Sequence, residues 1–289
     1  MKRNFIVGDE WVYYKVYSGV KTSDKILLNI IKPVANQLLS KNLIDKWFFI
    51  RYSDPKHHLR IRFHLVDVNK IGEVINTLFK ELNSYYYNDV IWKVQLDSYQ
   101  REIERYGSNT MVYSEYLFFY DSNMVVNFLD AVKDDEIRWL FSLKAIDSHL
   151  DQFGYPLEEK LSLLERLKIG YRSEFGKSKA LNKGLNDRYR LNQKKIKEIL
   201  EEKNSEYSPI LTKILNEKNY LTKKTIKNIQ DISENKKLEV DYDRLNMSYI
   251  HMLMNRLFRS KNRAHEMVCY DFLYRYYQSK VARMKYQKN

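Results

Sequence analysis

The residues best equipped for chemistry lie in one short segment, His58-Leu59-Arg60-Ile61-Arg62-Phe63-His64-Leu65. Read as a strand, its period of two sends Leu59, Ile61, Phe63 and Leu65 to one face and His58, Arg60, Arg62 and His64 to the other. Four basic side chains in one row repel each other. The row therefore calls for a bound anion, or for carboxylates supplied by another segment. Arginine suits an anion, because its planar fork grips carboxylate or phosphate. The plainer alternative is an exposed sheet face paired with nearby Asp and Glu.

A second segment is Arg101-Glu102-Ile103-Glu104-Arg105-Tyr106-Gly107-Ser108. It follows the last expected strand of a sheet, and Glu102 and Arg105 share a face if this turn is helical. The alternative is a solvated charge run. A third candidate is His251, four residues before Asn255 in a mostly apolar helical pattern, Ser248 to Leu257. Taken alone, a helix histidine is more often structural than catalytic. No metal is expected: no Cys, Asp or Glu completes a ligand set with His57, His58 and His64 at usual spacing. No cofactor is implied. Cys269, the single cysteine, falls in a helical pattern and reads as a buried small hydrophobe.

The elements that must position these residues alternate over the first hundred positions. Trp11–Tyr17 reads as a strand and Asp24–Leu39 as a helix, with Pro33 expected to kink or shorten it. Trp47–Tyr52 and His58–Val66 read as strands about the turn signal Ser53-Asp54-Pro55. Asn69–Leu82 reads as a helix and Ile91–Tyr99 as a strand. The order β-α-β-β-α-β is the ferredoxin-like arrangement, an antiparallel sheet with two helices on one face. From Met111 onward helical spacing predominates, with helices expected at 111–132, 134–150, 157–175, 177–202, 207–216, 221–237, 242–259 and 263–283. The fold class is α+β: a sheet-containing part over 1–110 and a largely helical part over 111–289, in one domain spanning 1–289. The Lys-rich 176–240 region reads as a peripheral insertion.

The chain has 289 residues, 44% of them hydrophobic and 30% charged, as in a soluble globular protein. One cysteine excludes a disulfide framework and any multi-Cys metal site. No apolar run approaches the ~20 residues of a membrane span, and acidic Asp9 and Glu10 interrupt any signal peptide. The expected compartment is the cytoplasm. Net charge is +13, made of +1 over residues 1–150 and +12 over 151–289. The basic half points either to an anionic partner or to a Lys-rich solvated helix surface. No nucleic-acid-binding motif is present.

Taken together, Trp11–Lys15, WFFIRYSDPKHHLRIRFH (47–64), YQREIERYGS (99–108), SEYLFFYDS (114–122) and IHMLMNRLF (250–258) resemble the C-terminal domain of lantibiotic dehydratases. The same domain type occurs alone in thiopeptide-type bacteriocin biosynthesis proteins. The resemblance runs in order from about residue 5 to the C-terminus, and is weakest over 176–240. It implies an elimination domain. In the full-length family a larger domain attaches glutamate, from glutamyl-tRNA, to Ser or Thr of a precursor peptide. The elimination domain then expels glutamate to leave dehydroalanine or dehydrobutyrine.

By this resemblance the elimination residues fall on Arg60, Arg62, Glu102, Arg105 and His251. The implied partners are a glutamylated precursor peptide, a separate tRNA-dependent glutamylation subunit, a cyclase, and a second copy of the chain in a homodimer. Direct nucleic-acid binding is not expected. The chain reads as a stand-alone lyase subunit or an excised domain, with Met1 favouring the former. Two alternatives stand beside this reading. One is a pyridine-forming [4+2] cycloaddition, whose enzymes resemble this fold but tend to lose the elimination set. The other is a non-catalytic peptide-binding subunit.

Overall fold

Strands form in the first hundred residues wherever alternation gives one face a core to bury. In the computed structural model, which describes residues 1–176, 178–202 and 208–287, they are β1 Asn4–Phe5, β2 Trp11–Ser18, β3 Ile44–Tyr52, β4 His58–Leu65, β5 Ile91–Asp97 and β6 Tyr99–Gln100. Four of them make a sheet in the order β3-β4-β2-β5, every neighbouring pair antiparallel. The short β1 and β6 pair with each other. Between β2 and β3 run α1 (Thr22–Ile26) and α2 (Lys32–Ser40), and between β4 and β5 runs α3 (Ile71–Tyr87).

The register places Tyr14 opposite Ile61, and Ile61 opposite Phe49, on one face. That face is buried with Ile26, Leu27, Ile30 and Val34 from the first helical stretch and Val74 and Leu78 from α3. Pro33 does not shorten its helix. A π turn over Leu27–Ile31 precedes it, closed by Lys32 N–H donating to the Leu27 carbonyl. This wider turn carries the chain past a proline that has no N–H to give.

The helices after the sheet are α4 Ile103–Tyr106, α5 Met111–Ala131, α6 Asp135–Gln152, α7 Leu157–Phe175, α8 Lys179–Leu200, α9 Ser208–Glu234, α10 Tyr242–Leu257 and α11 Asn262–Tyr286. One expectation is corrected here: the two helices at 207–216 and 221–237 are the single α9, with residue 207 outside the described residues. No Gly or Pro falls between positions 216 and 221, and buried Thr222 donates to the Lys218 carbonyl at 2.9 Å, so the helix has no reason to break. Lys177, where another helix was expected to begin, also lies outside the described residues.

The chain divides into two compact units. The first, Met1–Ala131 with Lys224–Ser260, contains the sheet, α1 to α5 and α10. The second, Val132–Lys223 with Lys261–Asn289, is helical, with a core that includes Phe141, Ile146, Leu164 and Leu273. In it Cys269 is buried against Ser142 Oγ at 3.3 Å, and burial pushes its thiol up to about 12. No described helix is long and apolar enough to cross a membrane.

Candidate active site

The basic row of β4 lies on the sheet face opposite the core just described, and its members meet different fates. His64 is answered by carboxylates: Nδ1 lies 2.7 Å from Asp45 Oδ1 and Nε2 lies 3.4 Å from Glu10 Oε2. His58 is buried and neutral. Its Nδ1 lies 2.8 Å from the Lys56 carbonyl, and its Nε2 accepts from Arg60 Nε at 3.1 Å. Nδ1 therefore carries the proton. Burial and the neighbouring Arg60 pull its pKa below the ordinary value. Arg60 lies flat on the Tyr52 ring, 3.5 Å from its centroid.

Arg62 differs from the other three. It is only 8% exposed. Its guanidinium sits over the rings of Tyr13 at 4.1 Å, Tyr99 at 4.9 Å and Phe48 at 5.2 Å. The register explains this surround, because Tyr13 and Phe48 are the residues opposite Arg62 on β2 and β3. Its Nε has no hydrogen-bond partner, and among the described residues no carboxylate lies within ion-pair distance of it. Burial draws its pKa below the ordinary arginine value, and the nearby Glu102 carboxylate opposes that shift.

Glu102 and Arg105 reach the same region from the chain after β6. Arg105 Nε is 3.1 Å from Glu102 Oε2, the three-residue spacing the sequence suggests for a helical turn. Gly107 ends that turn at φ +74 and donates its N–H to the Ile103 carbonyl at 2.7 Å. The following loop is tied down by Glu239, which accepts from the Ser108 N–H and from its hydroxyl, each at 2.6 Å. Two adjoining clefts result. A narrow one of about 40 Å³ is lined by Arg62, Tyr99, Glu102, Tyr106, Phe118 and Met252. A wider one of about 700 Å³ is lined by Glu102, Arg105, Glu239, Arg244 and Ser248 among others. Glu102 borders both.

His251 is on α10, partly buried. It is one helical turn from Ser248 of the wider cleft and next to Met252 of the narrower one, but lines neither. Asn255, one turn further, clamps the helix to β3. Its amide accepts from the Arg51 N–H at 2.8 Å and donates to the Arg51 carbonyl at 2.9 Å. The structure thus brings Arg62 together with Glu102, and Glu102 with Arg105. Arg60 stands two residues along β4 from Arg62, and His251 is not brought into either cleft.

The structure also shows supporting groups that the sequence left without a role. Arg101 is buried in a two-point ion pair with Glu115 of α5. Tyr106 stacks on Tyr249 of α10 at 5.7 Å, and the Tyr249 hydroxyl is 2.7 Å from Ser114 Oγ. Arg256 is fully buried, its Nε donating to Ser122 Oγ at 3.2 Å. Burial pulls it down to about 10, against the opposing charge of Asp121. The available signal was a charged residue at an apolar helix position: Glu115 in SEYLFFYDS and Arg256 in IHMLMNRLF.

Comparison with known proteins places these features. The family described as "Lantibiotic biosynthesis dehydratase C-term" matches residues 11–277. The subtilin biosynthesis protein SpaB of Bacillus subtilis is 31% identical over 183 residues, covering 60% of this chain and 17% of SpaB. The chain spans at most 22% of the curated relatives it matches. The crystal structure of the tRNA-dependent lantibiotic dehydratase MibB from Microbispora sp. 107891 superposes with a TM-score of 0.70 at 17% identity. That superposition covers 96% of this chain and 29% of MibB. The pyridine synthase TbtD from thiomuracin biosynthesis superposes with a TM-score of 0.69 at 11% identity, covering 92% of this chain and 97% of TbtD.

Proposed function

The chain belongs to the lantibiotic biosynthesis dehydratase C-terminal family, and on that footing we propose that it is a lyase acting in precursor-peptide dehydration. It removes glutamate from glutamylated Ser and Thr side chains, leaving dehydroalanine or dehydrobutyrine. The observation that carries this reading is Arg62: a buried guanidinium with no ion-paired carboxylate, bordering a cleft that it shares with Glu102. A buried cation left in this state suits a site whose anion arrives with the substrate.

In the elimination the Cα–H bond breaks and its electron pair becomes the Cα=Cβ bond. The Cβ–O bond breaks with it, and glutamate leaves as a carboxylate. Arg62, with Arg60 and Arg105, binds the glutamyl carboxylates and stabilises the negative charge that develops as the leaving group departs. Glu102 holds Arg105, or meets the glutamyl amine from the cleft side. His251 is the group for proton transfer, since an imidazole can both take and give a proton through its ring nitrogens. The substrate is a ribosomally made peptide glutamylated by a separate tRNA-dependent subunit in the cytoplasm. The βαββαβ order and the strand arrangement β3-β4-β2-β5 support a ferredoxin-like reading of the part that carries Arg60 and Arg62.

One observation favours a second reading. The fold extends over 97% of a pyridine synthase, so ring formation on an already dehydrated peptide is the competing chemistry. A single experiment separates them. A Ser/Thr-glutamylated precursor peptide is incubated with the chain and followed by mass spectrometry. Loss of whole glutamate units, leaving each site one water lighter than the unmodified residue, is the expected result. Intact glutamyl esters, with a dehydrated peptide instead converted to a ring and a shed leader, would assign ring formation.

A further inference from the structure

The two clefts that meet at Glu102 differ in what they can hold. The narrow one measures about 40 Å³, little more than the roughly 30 Å³ that one water molecule takes up in the liquid. A glutamyl group is far larger and does not fit there. The wider cleft measures about 700 Å³ and takes the whole group. Its wall is partly apolar, with Val240 and Met247 beside the charged residues. All the residues that line the two clefts belong to the first compact unit.

The charges around the wider cleft are engaged with one another or with its rim, with one exception. Glu104 pairs with Arg3 at 2.6 Å. Glu239 commits both oxygens to Ser108. Arg105 and Glu102 pair with each other at 3.1 Å. Asp241 caps α10 by accepting from the Arg244 N–H at 2.9 Å. The Arg244 side chain is exposed, and among the described residues its guanidinium makes no hydrogen bond and no ion pair. Nothing in the helix asks for a cation at this position. Arg244 is the third residue of α10, where the positive end of the helix dipole disfavours one. The cleft gives the reason instead: Met247 and Ser248, one turn further along the same face of α10, line it together with Arg244.

The group expelled in the reaction proposed above carries charges of both signs. Esterified through its α-carboxyl, a glutamyl group keeps an α-ammonium and a γ-carboxylate. A carboxylate of the cleft suits the first and an arginine fork the second. We propose that the wider cleft is the glutamyl subsite, with Arg244 holding the γ-carboxylate, Glu102 meeting the α-ammonium where the clefts join, and Val240 and Met247 flanking the methylenes between. The reacting ester then lies toward the narrow cleft, on the Arg62 side. Arg244 thereby decides which acyl group the chain expels. A glutaminyl group of the same shape leaves the guanidinium without an anion, and an aspartyl group, one methylene shorter, falls short of it. This assignment takes the identity of the acyl group from the elimination reading.

The test separates binding from turnover. The probes are two precursor peptides carrying diaminopropionate in place of the modified Ser, its side-chain amine acylated with glutamate in one and with glutamine in the other. An amide is a poor leaving group, so both bind without reacting. By isothermal titration calorimetry the unaltered chain prefers the glutamyl probe by about 10–100-fold, the range for a hydrogen bond to a charged group. Arg244→Gln abolishes that preference by weakening the glutamyl probe alone, and Arg244→Lys restores part of it. The residue is exposed, so circular dichroism melts of both variants match the parent. On the glutamyl ester itself Arg244→Gln raises KM by the same factor and leaves kcat little changed, since the γ-carboxylate is held equally before and during bond breaking. Failure to bind either probe, equal affinity for the two in the unaltered chain, or a preference that survives Arg244→Gln would each overturn the proposal. A chain that binds the glutamyl probe through Arg244 yet releases no glutamate from the ester would keep the subsite and overturn the elimination reading instead.

Discussion

Glu115 holds the Arg101 guanidinium through both carboxylate oxygens, at 2.7 and 2.8 Å, one residue before Glu102. The same guanidinium donates to the Lys2 carbonyl at 3.0 Å, and Glu115 also accepts from the Tyr99 hydroxyl at 3.1 Å. One buried carboxylate on α5 therefore fixes the end of β6 and the start of the turn that carries Glu102 and Arg105. It also locks Tyr99, one of the rings around Arg62.

Glu115→Ala should accordingly be among the most damaging substitutions in the first unit. Removing one partner strands the Arg101 charge in the interior, at a cost of about 3–5 kcal/mol. Urea unfolding followed by circular dichroism measures it. A loss below ~1 kcal/mol would mean that the pair is not the anchor described.

Arg62→Met should separate stability from activity. The substitution replaces a buried, ring-stacked cation by an apolar chain of similar length, so the melting temperature should hold or rise. Glutamate release should fall by about 10²–10³-fold, the usual consequence of losing one charge-stabilising donor. A folded variant with full release rates would remove Arg62 from the reaction.

His251→Ala should lower glutamate release by about 10²–10⁴-fold, the range expected when an acid–base group is lost. The Asn255 clamp on Arg51 is untouched by the change, so α10 should stay in place. Single-turnover kinetics on a glutamylated peptide would read the effect. An unchanged rate with normal stability would leave His251 a structural role only.

Gly107→Ala should destabilise the chain by about 1–3 kcal/mol. The residue sits at φ +74 and ψ 148, a region essentially restricted to glycine. A Cβ there would also come within 3.2 Å of Asn109 Oδ1 and Thr110 Oγ1. Because the strain falls on the turn holding Glu102 and Arg105, the variant should lose activity beyond its loss of stability. Rates measured well below its melting temperature test this.

Stability should fall on acidification between pH 6.5 and 4 in a way that His57→Gln reduces. Burial and the neighbouring Arg51 hold His57 down to about 4, with Asp24 opposing. The unfolded chain, whose imidazole titrates near 6.5, binds more protons across this window. The His57 contribution is thus intact above pH 6.5, is lost progressively as pH falls, and changes no further below about 4. Urea midpoints at pH 7 and 5 for both proteins give the comparison. A slope left by the buried His58, whose pKa is also lowered, should persist in the variant.

The residues on β4 were legible because a two-residue period is written directly into His58–Leu65. Their surroundings were not, because Arg62 acquires Tyr13, Phe48 and Tyr99 from three other strands, and pairing register is not a local property. The same holds for Arg101. In the sequence it stands in a run of charges that reads equally well as solvated, and only the packing of α5 brings Glu115 to it. The break expected near position 220 failed for a different reason. Lys218, Thr222 and Ile226 place a buried stripe at helical spacing across it, and packing along that stripe carries the helix through. Pro33 was read by its usual effect on an α-helix, and a π turn offers the backbone another way past it.

The clamp between Asn255 and Arg51 bears on how far the molecule can polymerise. The amide gives and takes the two hydrogen bonds that a neighbouring strand would make at Arg51, and Ser122 Oγ accepts from the Phe49 N–H at 3.2 Å two residues earlier. Side chains from α10 and α5 thus occupy the outer rim of β3, at the far end of the sheet from β5. With one rim plugged, edge-to-edge growth can proceed in one direction only. A strand added at β3 would have to displace these side chains, so that edge is closed to the strand addition that leads toward fibres.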